Sequence, residues 1–217
     1  MISVRFREFA ATRVPLLWLA GILIFAAGGC GKSVQVRGEF PTPLVEPFPL
    51  SVGLYYEEAF RAHRHQEASE DRDAWVIATG SSQMALFGSL ARGLFRNTET
   101  VDSASGSADG RFDLILAPAI EMFQFSMPRE TKVNVFEVWI KYKVRVYAGD
   151  GALLVDWPLA AYGKTPTAFL RSKSEALNLA VQAALRDAGV NFVRRFAKIP
   201  EVREWLESEK QRLGAQR

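Results

Sequence analysis

The sequence predicts an α+β fold: a mostly antiparallel sheet with two amphipathic helices packed on one face, followed by a short C-terminal helix. Three observations predict it. Between residues 133 and 147 the side chains alternate, with Phe136, Val138, Ile140, Tyr142, Val144 and Val146 on one side and Glu137, Trp139, Lys141, Lys143 and Arg145 on the other. That period of two belongs to a strand with one buried and one wet face. Two further stretches carry apolar residues at helical spacing: Met84, Phe87, Leu90, Ala91, Leu94 and Phe95 in the first, and Leu177, Ala180, Val181, Ala184, Leu185, Ala188, Phe192 and Val193 in the second. The order strand, excursion, helix, three strands, helix fits both helices on one face of a sheet whose other face is left uncovered.

Taken in order, the chain opens with Arg5, Arg7 and Arg13, then the apolar run beginning at Leu16, then small residues ending at Cys30, the only cysteine. The run falls short of the about 20 residues a spanning helix needs, and its flanks are those of an export signal. Three of the 27 basic residues and one of the 24 acidic ones lie in residues 1–29, so the rest of the chain is nearly neutral and its charge does not call for nucleic acid. A domain without a disulfide depends on packing, which 48% apolar and 12% aromatic residues can supply. Residues 30–49 contain Pro41, Pro43, Pro47 and Pro49 and read as an extended tether. A single domain is expected over 50–207, with a polar tail over 208–217.

Leu50, Val52, Leu54 and Tyr56 give the first strand. Residues 57–79 read as an exposed hairpin or excursion, with a charged middle and the short apolar stretch Trp75-Val76-Ile77. The first helix is expected over 82–97 after Gly80-Ser81-Ser82, with Gln83, Ser89, Arg92 and Arg96 on its polar side. Residues 102–110 form a small, polar surface loop. Residues 112–127 are apolar on both faces, which leaves open the face taken by Phe123 and Phe125. Gly149-Asp150-Gly151 is tight-turn chemistry, and Pro158 places the returning strand, residues 153–162, near a sheet edge. Ser172 and Glu175 form a capping box for the second helix, expected to reach about Phe196, with Gly189 marking a close approach or a slight break. Pro200 starts a last helix whose Val202, Trp205 and Leu206 face the domain.

The segment Ala27-Gly28-Gly29-Cys30 resembles the lipobox of a bacterial lipoprotein signal. The resemblance implies cleavage before Cys30 and acylation of its thiol, with an uncleaved anchor or a signal cut elsewhere as the alternative. Gly31, where an aspartate tends to retain such lipoproteins in the inner membrane, implies by the same resemblance the outer membrane. The passage WVIATGSSQMALFGSLARGLF and the hairpin VWIKYKVRVYAGDGALLVDWPL before an alanine-rich helix resemble the auxiliary lipoproteins of ABC-type transport systems and, more distantly, the lipoprotein of the lipopolysaccharide-assembly complex. These patterns contain no catalytic residues.

The residues themselves point away from catalysis. There is no G-x-S-x-G elbow, and the glycines near Gly149 sit in a hairpin and not between a strand and a helix. His63 and His65 share one face of an extended segment and could ligate a metal with Glu67 or Asp71, but read more simply as solvated surface histidines. An envelope hydrolase using Glu57, Glu58 or the histidines has the least support. No metal or cofactor is expected. Trp139, Lys141, Lys143, Arg145 and Tyr147 interleave aromatic and cationic side chains on the wet face, either as an idle solvated surface or as a docking surface for a partner protein or anionic headgroups. The expectation is a non-enzymatic accessory or scaffold protein, held at the periplasmic face of the outer membrane through Cys30 and engaging an envelope or transport-complex protein, as in lipid or lipopolysaccharide traffic. The alternative is a carrier with an apolar ligand between the second helix and the sheet.

Overall fold

A computed structural model describes residues 32–69, 72–105, 110–130, 133–166 and 172–215. The signal and Cys30 lie outside these residues, as does Asp71. The elements are β1 (Lys32–Gln35), β2 (Phe48–Tyr55), α1 (Glu58–Arg61), β3 (Arg64–Ser69), β4 (Arg72–Ala78), α2 (Gly80–Leu94), β5 (Phe95–Val101), β6 (Leu114–Ser126), β7 (Val135–Ala148), β8 (Leu153–Pro166), α3 (Lys173–Arg195) and α4 (Pro200–Ala215). They form an α+β fold with two sheets instead of one: a five-stranded sheet in the order β5-β2-β6-β7-β8 and a three-stranded sheet in the order β1-β4-β3. Both are mixed, with most of the pairing antiparallel as expected and a parallel part that was not. β2 runs parallel to β5 and β6, and β1 runs parallel to β4, while β6, β7 and β8 form an antiparallel meander.

The even-numbered residues of β7 are the centre of the core: Phe136, Val138, Ile140, Tyr142, Val144 and Val146 are all at most 1% exposed. Burying an aliphatic or phenyl side chain of this kind contributes about 1.5–3 kcal/mol relative to leaving it in water. α3 lies across this face, chiefly on β8, and α2 packs beside it against β2 and β5. Its alanines make the approach close. At Gly163 of β8 a Cβ would fall on the carbonyl oxygen of Ala180 and the amide nitrogen of Ala184, so helix and strand meet backbone to backbone. The gap between the second helix and the sheet, where an apolar ligand was the alternative expectation, is therefore closed. α3 also covers the edge of β8: the Tyr162 amide donates to Asp187 Oδ2 at 3.0 Å and Asn191 Nδ2 donates to the Ala160 carbonyl at 3.4 Å. That blunts a strand edge that would otherwise invite pairing with another chain. Its start is as expected, with Ser172 Oγ accepting from the Glu175 amide at 3.1 Å.

Five expectations are corrected. The segment read as a tether belongs to the fold: it supplies β1, Val34 and Val36 are buried, and Ser82 Oγ donates to the Val36 carbonyl at 2.6 Å. Farther along, the Arg37 amide donates to Asn178 Oδ1 and Ser89 Oγ to the Phe40 carbonyl, while Gly93 admits Pro43, from which a Cβ would lie 2.6 Å away. Prolines keep this strap extended, and side chains of α2 and α3 satisfy its backbone. Gln83 and Ser89, expected on the wet side of the first helix, are buried, Ser89 beneath this strap and Gln83 against Thr79, to which its Nε2 donates. That helix also ends three residues early, because the chain turns extended at Phe95 and continues as β5. The excursion over 57–79 is indeed a hairpin, β3–β4, but it is not merely exposed: Trp75 and Ile77 are buried, and Trp75 packs edge-on against Phe125 and Phe136. Finally, helical structure continues through Ala215, where a polar tail was expected.

Tyr142 is fully buried and its hydroxyl has no partner among the described residues. Tyr142→Phe removes that stranded polar group and is expected to stabilise the fold by about 1 kcal/mol, read as a higher urea midpoint at unchanged slope. A lower midpoint would mean that the hydroxyl is satisfied.

Candidate functional site

The odd-numbered residues of β7 form the opposite face of the large sheet. Register places Trp139 between Gln124 of β6 and Tyr162 of β8, Lys141 between Met122 and Ala160, Lys143 between Ala119 and Pro158, Arg145 between Ala117 and Asp156, and Tyr147 between Ile115 and Leu153. All five residues singled out in the sequence are thus brought to one surface, and α2 and α3 lie on the other. Phe123 and Phe125 are not part of it. They pair with Ile140 and Val138 and are buried in the core.

What separates the two is a bulge. Pairing shifts between Ile120 and Met122, so Ile120 faces the core side with Tyr142 while Met122 faces outward with Lys141. Bulges of this kind re-aim side chains. Here Glu121 is the extra residue, and its carboxylate lies 2.9 Å from Lys141 Nζ and 3.0 Å from Lys143 Nζ. Hydrogen bonds from Lys141 and Lys143 hold the Glu121 pKa below the usual carboxylate range. Arg145 likewise reaches Glu57, with Nη2 to Oε1 at 2.7 Å. Lys141, Lys143 and Arg145 are therefore met by carboxylates, and with Asp156 opposite Arg145 and Glu137 opposite Lys164 the charges of this face balance, so it lacks the unbalanced positive charge that docking of anionic headgroups requires.

Beside these charges lies an aromatic and thioether patch. The rings of Trp139 and Tyr162 are 5.4 Å apart, and the Tyr162 hydroxyl donates to Glu137 Oε1 at 2.6 Å. That hydrogen bond to a carboxylate pushes the Tyr162 pKa up to about 12. Tyr162 and Met122 are each 37% exposed. Sequence reading missed Glu121, Met122 and Tyr162, and it named Glu57 only as a hydrolase candidate and not as the partner of Arg145. A cross-strand partner is legible only once register is known, and the bulge has no composition signature of its own.

The histidines occupy a different place. His63 and His65 are half-buried on β3 and its approach, and the His65 ring packs 4.9 Å from Phe123 and 5.9 Å from Phe125. His63 Nδ1 lies 2.6 Å from Thr79 Oγ1, and His65 Nε2 lies 3.3 Å from Glu67 Oε2. They are wedged between the small sheet and the core instead of solvated. Among the described residues no group of three or more His, Cys, Asp or Glu side chains is placed to hold a metal. Burial lowers the pKa of both imidazoles, with the neighbouring charge adding to the effect at His63. The unfolded chain thus binds protons before the folded one does, so stability is full above the unfolded value near 6.5 and falls as pH drops below it. The melting temperature is expected to fall between pH 7.5 and 5.0, with a shallower fall for His63→Gln/His65→Gln. Equal slopes for the two proteins would contradict this.

No family model matches the chain, and no curated protein matches it. Among solved structures it is similar in fold to a Xanthomonas campestris protein of family model DUF330, with 11% identity and a TM-score of 0.50 over 75% of this chain and 92% of that one. Weaker similarities include lipoprotein B of Nitrosomonas europaea, at 14% identity and a TM-score of 0.41 over 75% of this chain and 94% of the other. A minor lipoprotein of Acinetobacter baumannii has 9% identity and a TM-score of 0.39 over 69% and 92%. At these identities the first similarity speaks for the fold alone.

Proposed function

We propose that the chain is a lipid-anchored accessory protein of the bacterial envelope, attached through acylated Cys30 at the periplasmic face of the outer membrane. It docks a partner protein of an envelope or transport complex on the open face of its large sheet. The observation that carries this reading is the surface formed by Trp139, Tyr162 and Met122, framed by Lys141, Glu121 and Lys143. Aromatic and methionine side chains at the centre with paired charges at the rim are the composition of a protein interface. Fixed charge pairs also favour a protein partner carrying its own charge pattern over a uniformly anionic surface.

The anchor draws support from the basic residues, apolar run and lipobox-like segment that precede Lys32. Only Gly31 separates Cys30 from β1, so a lipid on Cys30 would hold the domain within about 7 Å of chain from the bilayer. This is a short leash and not a spacer. Among the described residues no helix is long and apolar enough to cross a membrane. Purification of the full chain from detergent-solubilised envelope is expected to recover a defined partner, and Trp139→Ala to cut that recovery roughly 30-fold with an unchanged circular dichroism spectrum, as for a central aromatic anchor. Undiminished recovery would remove this face from the account. Recovery of the protein alone would count against partner docking.

A further inference from the structure

On the helical side of the domain, remote from the open sheet face, the strap over residues 40–45 crosses α2 and α3 and leaves a groove of about 470 Å³ beneath it. Its walls include Pro41, Pro43, Leu86, Leu90, Val190 and Val193. Leu44 is fully exposed beside it, and Val190 is 52% exposed. The volume falls within the range of about 300–1,000 Å³ usual for small-molecule sites.

The walls restrict what can lie there. The helical walls have their amides engaged in the helices, and Pro41 and Pro43 have no N–H to offer. A peptide laid in this groove would find backbone partners along the strap alone and none on the helical walls, whereas an alkyl chain needs none. The groove also carries charge. Arg186 and Arg194 line it from α3, one on either side of Val190 along the same helical stripe. Arg186 makes one long hydrogen bond, Nη2 to Gln182 Oε1 at 3.4 Å, and neither arginine is paired with a carboxylate among the described residues. On the sheet face, by contrast, Lys141, Lys143 and Arg145 are all in ion pairs.

We propose that this groove binds a single-chain anionic amphiphile, one alkyl chain lying between the strap and the helices with its carboxylate or phosphate head met by Arg186 and Arg194. The site is separate from the sheet face and stands or falls independently of partner docking. Guanidinium groups suit both heads because their N–H fork matches paired oxygens.

The test uses the full chain reconstituted in phosphatidylcholine nanodiscs, a palmitic acid analogue with a diazirine on its alkyl chain, and mapping of the photolabelled peptides by mass spectrometry. Labelling is expected in residues 40–45 and 186–194. Palmitate and lysophosphatidic acid should each displace the probe at least tenfold more effectively than lysophosphatidylcholine, and the stronger of the two identifies the preferred head. Val190→Glu, at a half-exposed position, should cut labelling at least tenfold, as should Arg194→Glu, which alters only an exposed side chain. Labelling elsewhere, equal displacement by lysophosphatidylcholine, or undiminished labelling of a folded Arg194→Glu variant would overturn the assignment.

Discussion

Gly163→Val is expected to destabilise the domain by about 3 kcal/mol, lowering its melting temperature by roughly 10 °C. The reason lies in backbone geometry. Any Cβ at this position meets the Ala180 carbonyl and the Ala184 amide of α3, which cannot rotate away as a side chain could. Relief requires the helix to lift off β8. Lifting it opens the packing of Ala180, Ala184 and Leu185 and strains the two bonds by which Asp187 and Asn191 satisfy the β8 edge. Urea denaturation of wild type and variant measures the effect. A loss below about 1 kcal/mol would mean that helix and sheet are not in direct backbone contact.

The second large effect concerns attachment. Cys30→Ser is expected to move the protein almost wholly out of the processed, membrane-bound fraction, leaving it either soluble or unprocessed. Two or more acyl chains make membrane binding effectively stable, whereas a domain without them must rely on its surface. The sheet face offers little for that purpose, since Lys141 and Lys143 are paired with Glu121 and Arg145 with Glu57, and the strap groove holds at most one alkyl chain by the assignment above. Fractionation of cells carrying each form, followed by immunoblotting, gives the answer. A serine variant that stayed processed and membrane-bound would mean that another part of the chain holds it there.

The meander β6–β7–β8, its turn at Gly149-Asp150-Gly151, the edge position of Pro158 and the capped alanine-rich helix were all readable from residues, because each rests on local periodicity or local turn chemistry. What was not readable depends on contacts distant in sequence. β1 is four residues of ordinary polarity that become a strand only beside β4, and prolines that ordinarily mark a linker here lie against a glycine of α2. Residues 95–101 look like a fraying helix end, yet they pair with β2 along their length. The parity of Phe123 and Phe125 is set by one extra residue, Glu121, and that same residue bridges the two lysines that made the sheet face look cationic. The five candidate residues therefore share a surface as expected, but acids from outside β7 offset the positive charge that their one-dimensional pattern implies.

The central claim is that this domain works from a lipid leash, and the mass of the N-terminal peptide of the processed protein tests it most directly. The account predicts a peptide beginning at Cys30 whose sulfur carries a diacylglycerol group. A peptide that begins elsewhere, or one that begins at Cys30 with a free thiol, would contradict it.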